Sequence, residues 1–360
     1  MAAAIGALIL GFAVLIMSNN VRRGVIDSVD LCISTVIPSL FLFTAIANFA
    51  LKSGLCEVLG KILDRFSQKI FNLTGEQFAV FLLSLFSGYP VGAGLVTELL
   101  KSGKITEQQA RRMICFCVSA GPAFILVAVG EAALGHRSDG YRLLVAHLIS
   151  SLLLCFVIGL LSRFFDKHRQ NPTVRQSPTL MSNRATNTSF AENFTASAVN
   201  ASKAMFNVCT FVIVFGALGR LITTDTVPLS PFSVNFLRGI IEVTAGVNLF
   251  GRGRLPLIAF LLGFSGVSVH FQVLSVAAET KVKYFPFLLS RLTHGVVSAT
   301  VIGIWELICP RCIDTAVSRT PTAALNGSPL AAASMLLLGV VLIVYSSRQR
   351  QISANSDTSC

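Results

Sequence analysis

Four polar side chains suited to binding an anion occur in two neighbouring apolar stretches of the chain. His270 and Gln272 lie in the first stretch, and Arg291 and His294 lie in the second. Because Arg291 and His294 are three positions apart, they share one face of a helix. An arginine within a membrane span costs about 2.5–3.5 kcal/mol to insert, so it normally faces a partner or a cavity. Alternatively, Arg291 snorkels from the end of a span, and His270 is a hydrogen-bonded core histidine.

Residues that interrupt helices occur within four apolar stretches. Proline lacks the main-chain donor and clashes with the preceding turn, and glycine weakens a helix further. In lipid, a main-chain group freed in this way is costly unless protein or a water-filled cavity satisfies it. We therefore predict that the interruptions converge on one polar cavity, where helix N-termini face an anion and freed carbonyls can hold a cation. The interruptions lie at 87–92, 119–122, 265–268 and 294–295.

The substrate-binding residues predicted from these features come from both halves of the chain. They are Ser87, Gly88, Tyr89, Pro90, Gly92, Ser119, Gly121, Pro122, Ser265, Gly266, Ser268, His270, Gln272, Arg291 and His294. The acidic residues of the broken segments lie at or near the segment ends: Glu98, Glu131, Glu279 and Glu306. This pattern favours an anionic solute over a cation and argues against a carboxylate proton relay. No catalytic residue, metal site or cofactor is expected. The alternative is that the glycines and serines only permit close helix packing.

The composition indicates the elements that must position these residues. Of the 360 residues, 53% are hydrophobic and only 13% are charged, about half the charged fraction of an ordinary soluble domain. This excludes an ordinary cytosolic enzyme and an intrinsically disordered protein, and the continuous apolar runs disfavour a β-barrel. We expect an all-α, polytopic helical membrane protein. The net charge of +12 is attributed to basic loops beside anionic lipid, and no nucleic-acid-binding signature accompanies it.

About nine apolar runs approach the length of roughly twenty residues that a membrane helix needs. Arg22 and Arg23 follow the first run, which predicts a retained span with its N-terminus outside. If every run crosses, the basic loops at 101–112 and 281–283 lie in the cytoplasm, in agreement with the positive-inside rule. Several runs are short enough to be re-entrant. The runs cover 2–17, 33–51, 77–97, 113–129, 143–161, 206–221, 256–278, 284–308 and 330–345.

A short motif is repeated in the two halves of the chain. Residues 81–91 and 260–269 both contain Phe-Leu-Leu followed by Phe-Ser-Gly, and each copy precedes a basic turn and another apolar run. Internal repeats are a common plan in transporters, so we predict two structural repeats with discontinuous helices. The predicted parts are an N-terminal span (1–24), a first repeat (25–164), a flexible cytoplasmic linker (165–203), a second repeat (204–346) and a polar tail (347–360).

Two stretches mix charged with apolar residues, and nine cysteines are spread along the chain. Residues 57–71 and 231–250 combine charged and apolar residues at helical spacing, which predicts helices along the membrane surface or ordinary loop helices. Most of the nine cysteines are interpreted as small packing residues. Cys309 and Cys312 form an isolated CxxC pair that could close a disulfide on an oxidising side, and no second pair accompanies them as a zinc site requires.

The motifs resemble those of the YlbJ-like, or SpoVV-like, sporulation integral membrane proteins, which carry the nucleoside-recognition Gate domain. The stretches that match are 38–41, 87–93 (SGYPVGA), 103–106, 119–124 (SAGPAF) and 269–273, together with Arg291 and His294. The resemblance implies a fold similar to concentrative nucleoside transporters and a location in the mother-cell or outer forespore membrane of a spore-forming bacterium. It also implies export of dipicolinate, an aromatic dicarboxylate, for formation of the spore cortex.

Several functions remain open on the sequence. The first is a transporter of a small organic anion, embedded in a lipid bilayer, with an unidentified coupling ion and no nucleic-acid partner; assembly with further copies of the chain is also open. The others are a nucleoside-type transporter and a structural or assembly protein of the spore envelope. A fourth is an intramembrane serine protease, because residues 263–266 fit GxSG and His294 could act as the base of Ser265.

Overall fold

A computed structural model describes residues 8, 11–168, 189–223, 230–250 and 254–309. Within these ranges the secondary structure is helical, without a strand, as the all-α prediction requires. Five helical stretches are long and apolar enough to cross a membrane, and one bent helix pair raises the number to six. The predicted run at 330–345, half of the run at 2–17, and Cys312 lie outside the described residues.

Thirteen α-helices are described, several of them separated by a single residue. They are α1 (Ser18–Leu31), α2 (Ile37–Lys52), α3 (Leu55–Phe71), α4 (Gly75–Ser87), α5 (Tyr89–Lys101), α6 (Glu107–Ile114), α7 (Arg137–His168), α8 (Phe190–Ile222), α9 (Pro231–Ile241), α10 (Val243–Leu249), α11 (Leu255–Phe264), α12 (Gly266–Val276) and α13 (Tyr284–Ile308). Two π-helical segments, Cys32–Val36 and Phe124–Ala133, and a 3₁₀ turn, Ala278–Thr280, connect them.

The candidate spans account for five of the predicted runs. They are Ser18–Lys52, Arg137–Phe164, Phe190–Ile222, Leu255–Val276 and Tyr284–Ile308. The runs at 77–97 and 113–129 are not straight spans. The first is divided between α4 and α5, and the second between α6, an irregular segment and a π-helix. Hydropathy averages over such breaks, so the prediction of about nine membrane segments is not confirmed: five helical stretches, or six with the bent pair, are long and apolar enough in the described part.

Small residues let α1 and α8 approach closely. A Cβ atom added to Gly24 would lie 2.9 Å from the Ala217 Cα, and one added to Gly216 would lie 2.0 Å from the Ser28 Oγ. Lipid provides little hydrophobic drive for helix association, so this close van der Waals packing holds the two spans together. The stretch Ser18–Lys52 therefore packs along α8, at the start of the second half of the chain.

The predicted linker is shorter than the sequence indicated. Residues 190–203 are helical, because Ser189 and Glu192 form a capping box at the start of α8. The rings of Phe190 and Phe194 lie 5.1 and 6.3 Å from the ring of Phe49, so this first part of α8 packs on α2. The remaining linker residues, 169–188, lie outside the described part of the chain.

The predicted interruption at His294-Gly295 is wrong, because α13 runs unbroken from Tyr284 to Ile308. A glycine costs a helix only about 1 kcal/mol, and here it serves packing. A Cβ atom added to Gly263 of α11 would lie 2.6 Å from the Gly295 Cα. Gly295 is therefore the point where α11 and α13 cross closely, as the packing alternative supposes.

Candidate functional site

The first interruption lies at Gly88, where α4 ends and α5 begins. Gly88 has φ 89° and ψ 167°, a backbone conformation that residues with a Cβ rarely adopt. Pro90 then occupies the first turn of α5, where its missing N–H costs nothing. Ser87 does not direct its hydroxyl to a cavity, since Oγ donates to the Leu83 carbonyl at 2.9 Å. The helices α4 and α5 pack against each other, so this is a sharp break and not a kink in one span.

The second interruption is the irregular segment 115–121 between α6 and the helical turn that starts at Pro122. It lies directly against the first. A Cβ atom added to Gly121 would lie 3.2 Å from both the Gly88 nitrogen and the Phe86 oxygen. One added to Gly92 would lie 1.9 Å from the Cys117 oxygen. Gly92 is therefore a packing residue that lets α5 touch the irregular segment.

The third interruption, at Ser265-Gly266, joins the first across the two halves. Ser265 has φ 77° and Gly266 has φ 73°, which divides α11 from α12. In a continuous helix the Leu262 carbonyl would accept from the Gly266 N–H. Here it accepts from the Tyr89 hydroxyl at 2.8 Å. The Ser265 hydroxyl lies 3.3–3.4 Å from the carbonyls of Gly263 and Leu262.

A fourth interruption, which the sequence did not predict, lies at Glu242. This residue is extended, with φ −141° and ψ 113°, and separates α9 from α10. The two helices meet so closely that a Cβ atom added to Gly246 would lie 2.0 Å from the Gly239 Cα. One added to Gly266 would lie 3.0 Å from the Val243 nitrogen. The tip formed by the turn between α9 and α10 therefore contacts the third interruption. In the sequence, the signal for this interruption is a single Glu between Gly239 and Gly246 in a largely apolar stretch.

A small cavity lies among the interruptions and is lined by residues of three of them, Gly88, Gly121 and Glu242. Its volume is about 30 Å³, which is room for one or two water molecules. Its polar side chains are those of Tyr89, Glu242, Thr244 and Gln272. Glu242 is only 2% exposed, so the site contains a buried acid that the sequence did not predict. Two larger cavities, of about 270 and 210 Å³, adjoin the same turn through Thr244 and Glu242 respectively.

Arg291 lies in the core and holds the irregular segment. Its side chain is 0% exposed. Nη1 donates to the Val118 carbonyl, and Nη2 donates to the Cys115 carbonyl at 2.5 Å. Both carbonyls belong to the segment that leaves the helix after α6, so they lack regular helical partners. The guanidinium supplies those partners, and Arg291 therefore does not snorkel to the surface.

His147, which the sequence did not single out, completes a buried basic network with His294. Its Nε2 accepts from the Ala120 N–H at 3.0 Å and lies 3.0 Å from the Ser119 hydroxyl. The rings of His147 and His294 are 4.4 Å apart, and His294 Nδ1 is 3.3 Å from Arg291 Nη1. Because Nε2 is an acceptor, the neutral ring of His147 carries its proton on Nδ1, an atom without a hydrogen-bond partner among the described residues. A lone histidine in an apolar run was the available signal.

The remaining predicted side chains have local partners. His270 Nε2 lies 2.9 Å from the Phe264 carbonyl, and its Nδ1 lies 3.3 Å from the Tyr284 hydroxyl. This is the hydrogen-bonded core histidine that the sequence left as an alternative. Gln272 donates to the Ser268 hydroxyl at 3.2 Å. Eight of the fifteen predicted residues thus form two groups: Gly88, Tyr89, Pro90, Gly121 and Gln272 line the small cavity, whereas Ser119, Arg291 and His294 belong to the basic network.

The basic turns of the two halves meet at one face of the protein. Lys281 Nζ donates to Glu107 at 2.7 Å, Lys101 pairs with Glu279 at 3.0 Å, and Arg111 donates to the Thr280 carbonyl at 3.2 Å. The sequence placed both turns on the same side of the membrane, and this contact agrees with that prediction. We call this set of contacts the loop clasp.

The loop clasp should weaken in acid. The hydrogen bond from Lys281 lowers the pKa of the Glu107 carboxyl. A carboxyl with a lowered folded-state pKa contributes stability that is present above its unfolded value and lost as pH falls through the folded value. We therefore expect Lys281→Gln to lower the thermal midpoint slightly at pH 7 and to have no effect at strongly acidic pH. Lys283→Gln, two positions away at an exposed site, is the matched control, and equal effects of the two variants would contradict the assignment.

The comparisons with known proteins bear on the first half of the site. Residues 33–137 match the family model Gate, described as nucleoside recognition, and this range contains Gly88, Gly121 and the irregular segment. The chain is also 27% identical over 302 residues to the sporulation integral membrane protein YlbJ of Bacillus subtilis (strain 168), with coverage of 75% of this chain and 74% of YlbJ. The resemblance indicated by the motifs is confirmed. No solved structure matches the chain.

The similarity to YlbJ and the five candidate spans give the location of the protein. It is an integral membrane protein with a Gate domain, consistent with a bacterial membrane. The matched Gate range ends at residue 137, so the Gate-like character of the second repeat stays a prediction. The proposed likeness of the fold to concentrative nucleoside transporters also stays a prediction.

Proposed function

We propose that the protein is a transporter of a small organic anion and not an enzyme. The observation that carries the proposal is the meeting of four main-chain interruptions, contributed by both halves of the chain. A bilayer protein tolerates irregular backbone where protein or a hydrated cavity satisfies it. Here the Tyr89 hydroxyl satisfies the Leu262 carbonyl, and the small cavity of about 30 Å³ is lined by the same tyrosine.

The basic network supports an anionic solute. Arg291 supplies a fixed positive charge, and His147 Nδ1 is a buried donor that lacks a partner in the described part of the chain. Carboxylates pair strongly with guanidinium groups and accept hydrogen bonds from imidazole N–H. Dipicolinate has two carboxylates, so it is the first solute to test. The cavity of about 30 Å³ is too small for it, so transport requires the interruptions to separate and form a larger site.

Flux into proteoliposomes tests this function. We expect the wild-type protein to move radiolabelled dipicolinate faster than protein-free vesicles. Tyr89→Phe removes the hydrogen bond between the first and third interruptions, worth ~1 kcal/mol, and should change the rate about fivefold. Tyr141→Phe, at a tyrosine of α7 outside the cavity, is the control and should transport as the wild type. Wild-type flux no faster than empty vesicles, for dipicolinate and other small anions, would overturn the proposal.

A nucleoside is the second candidate solute. The Gate family is described as nucleoside recognition, and the Glu242 carboxylate and Gln272 amide at the small cavity are groups that can bond ribose hydroxyls and base edges. Uptake of labelled uridine or adenosine by the same vesicles distinguishes the two solutes. A spore-envelope assembly role without transport is the outcome if neither class moves.

The protease alternative gains no support from the geometry. The hydroxyl of Ser265 bonds to carbonyls of the preceding helix, α11. His294 faces Arg291, Ser151 and the main chain of His147. A nucleophile and its base must lie within hydrogen-bond reach of each other, and these two side chains bond to other groups.

A further inference from the structure

Glu242 is a buried acid at the tip between α9 and α10. Its side chain is 2% exposed. One carboxylate oxygen accepts from the Thr244 N–H at 3.1 Å, and the other accepts from the Ala245 N–H at 2.6 Å. Removing a carboxylate from water is costly unless its charge is compensated. Main-chain amides compensate it only partly, so the protonated form is energetically accessible.

Glu242 is shared by two cavities. One is the cavity of about 210 Å³, lined also by Asp27, Arg220 and Arg238, and the other is the 30 Å³ cavity at the interruptions. Glu242 lines both. A proton from water in the larger cavity can therefore reach the carboxyl without passing through the apolar core. No other acidic side chain is shared by these two cavities in the described part of the chain.

The charged neighbours of Glu242 are mostly engaged with other groups. Arg220 pairs with Asp27, and Arg238 Nε donates to the Thr223 hydroxyl at 2.8 Å. Burial raises the pKa of Glu242, which lies outside the five candidate spans. The titratable and charged groups that face it from the surrounding elements are Asp27 on α1, Cys32 in the π-helical segment, Tyr89 on α5, Arg220 on α8 and Arg238 on α9.

We propose that Glu242 is the proton-binding residue that couples solute movement to protons. This inference rests on the proposed transport of an anion. A charged carboxylate at the cavity repels an anion, and one proton taken up from the acidic solution by way of the larger cavity converts it to a neutral acid. The neutral acid holds the Thr244 and Ala245 amides less strongly, which frees the tip between α9 and α10 to move away from Gly266. Proton and anion then enter together, and loss of the proton restores the closed contact.

Infrared difference spectroscopy tests the proton site without any solute. Purified protein in vesicles is compared at neutral and acidic pH in H₂O and D₂O. We expect a carboxylic acid band, at a frequency distinct from those of the exposed acids, that titrates in the wild type, disappears in Glu242→Gln and persists in Glu98→Gln, a control at an exposed acid of α5. If Glu242→Gln fails to fold, Glu242→Asp takes its place in the test. This variant keeps a titrating acid, and its band should be shifted. A band that survives in folded Glu242→Gln, or an absent band in the wild type, would overturn the proposal.

Flux under a proton gradient tests the coupling. An inward proton gradient should accelerate wild-type dipicolinate uptake by up to about tenfold per pH unit, and Glu98→Gln should behave in the same way. Glu242→Gln should transport without this dependence, and retained dependence would show that another group carries the proton. If dipicolinate, other anions and nucleosides all fail to move, the transport proposal fails, while the infrared result still decides whether Glu242 binds a proton.

Discussion

Gly92→Ala is expected to destabilise the protein by about 3 kcal/mol or more, at the upper end of what overpacking costs. The added Cβ atom would lie 1.9 Å from the Cys117 oxygen and 2.8 Å from the Ser84 Cβ. The Cys117 oxygen belongs to the main chain and cannot rotate away, so the contact can be relieved only by separating α5 from the irregular segment 115–121. That movement would disturb the first and second interruptions together.

Gly94→Ala provides the matched control on the same helix. Its added Cβ atom would meet the Val276 Cγ1 at 3.5 Å, an ordinary contact, and alanine is about 1 kcal/mol better than glycine in a helix. The thermal midpoint of detergent-solubilised protein, followed by loss of the monodisperse peak after heating, should fall for Gly92→Ala and stay level or rise for Gly94→Ala. Similar midpoints for the two variants would show that α5 and the irregular segment are not in tight contact.

Replacement of Arg291 is expected to cost about 2–6 kcal/mol, because it leaves two buried carbonyls without a partner and each costs roughly 1–3 kcal/mol. Arg291→Met keeps much of the side-chain volume and removes the charge, yet it leaves the Val118 and Cys115 carbonyls unpaired. Arg291→Lys keeps the charge but loses the planar guanidinium group, whose two Nη atoms donate to both carbonyls. Comparison of the two variants separates the role of the positive charge from the role of the two guanidinium hydrogen bonds.

Arg291 can hold the irregular segment, or hold it and also bind the anion, and these two possibilities predict different results for stability and flux. If Arg291 holds the irregular segment, Met and Lys should lower the thermal midpoint by similar amounts. If it also binds the anion, Lys should retain more dipicolinate flux than Met in the fraction that folds. Arg65→Gln, at an exposed arginine of α3, should match the wild type in both assays. A midpoint for Arg291→Met at or above that of the wild type would show that the buried charge costs more than its hydrogen bonds contribute.

The sequence located the interruptions where a glycine, which permits backbone conformations that other residues rarely adopt, lies beside a serine or a proline. Gly88, Gly121 and Gly266 stand beside serine or proline within apolar runs, and the chain leaves the helix at each of them. Gly295 gave the same signal but lies in a continuous helix, because the approach of Gly263 compensates the small intrinsic cost of glycine. Local sequence cannot distinguish a glycine needed for a positive φ angle from a glycine needed because a neighbouring helix approaches closely.

The buried ionisable groups were harder to predict. Glu242 occurs in a stretch whose mixed pattern indicated a surface helix, and its burial depends on contacts with α1, α5, α8 and α12 that no local pattern encodes. His147 lies in a long apolar helix, and its partners Ser119 and Ala120 are 27–28 residues away. Arg291 was predicted to face a partner, but its partners are main-chain carbonyls, which have no signature in the sequence.

The hydrogen bonds made by Tyr89 and Arg291 have a consequence for biosynthesis. Tyr89 reaches a carbonyl 173 residues later, and Arg291 reaches back 173 and 176 residues to Val118 and Cys115. The first half of a nascent chain therefore enters the bilayer with carbonyls that its own residues leave unmatched, which hydrocarbon penalises. Its final geometry must wait until the ribosome has added α13, so the early intermediate needs water, lipid headgroups or an insertase to shelter those carbonyls.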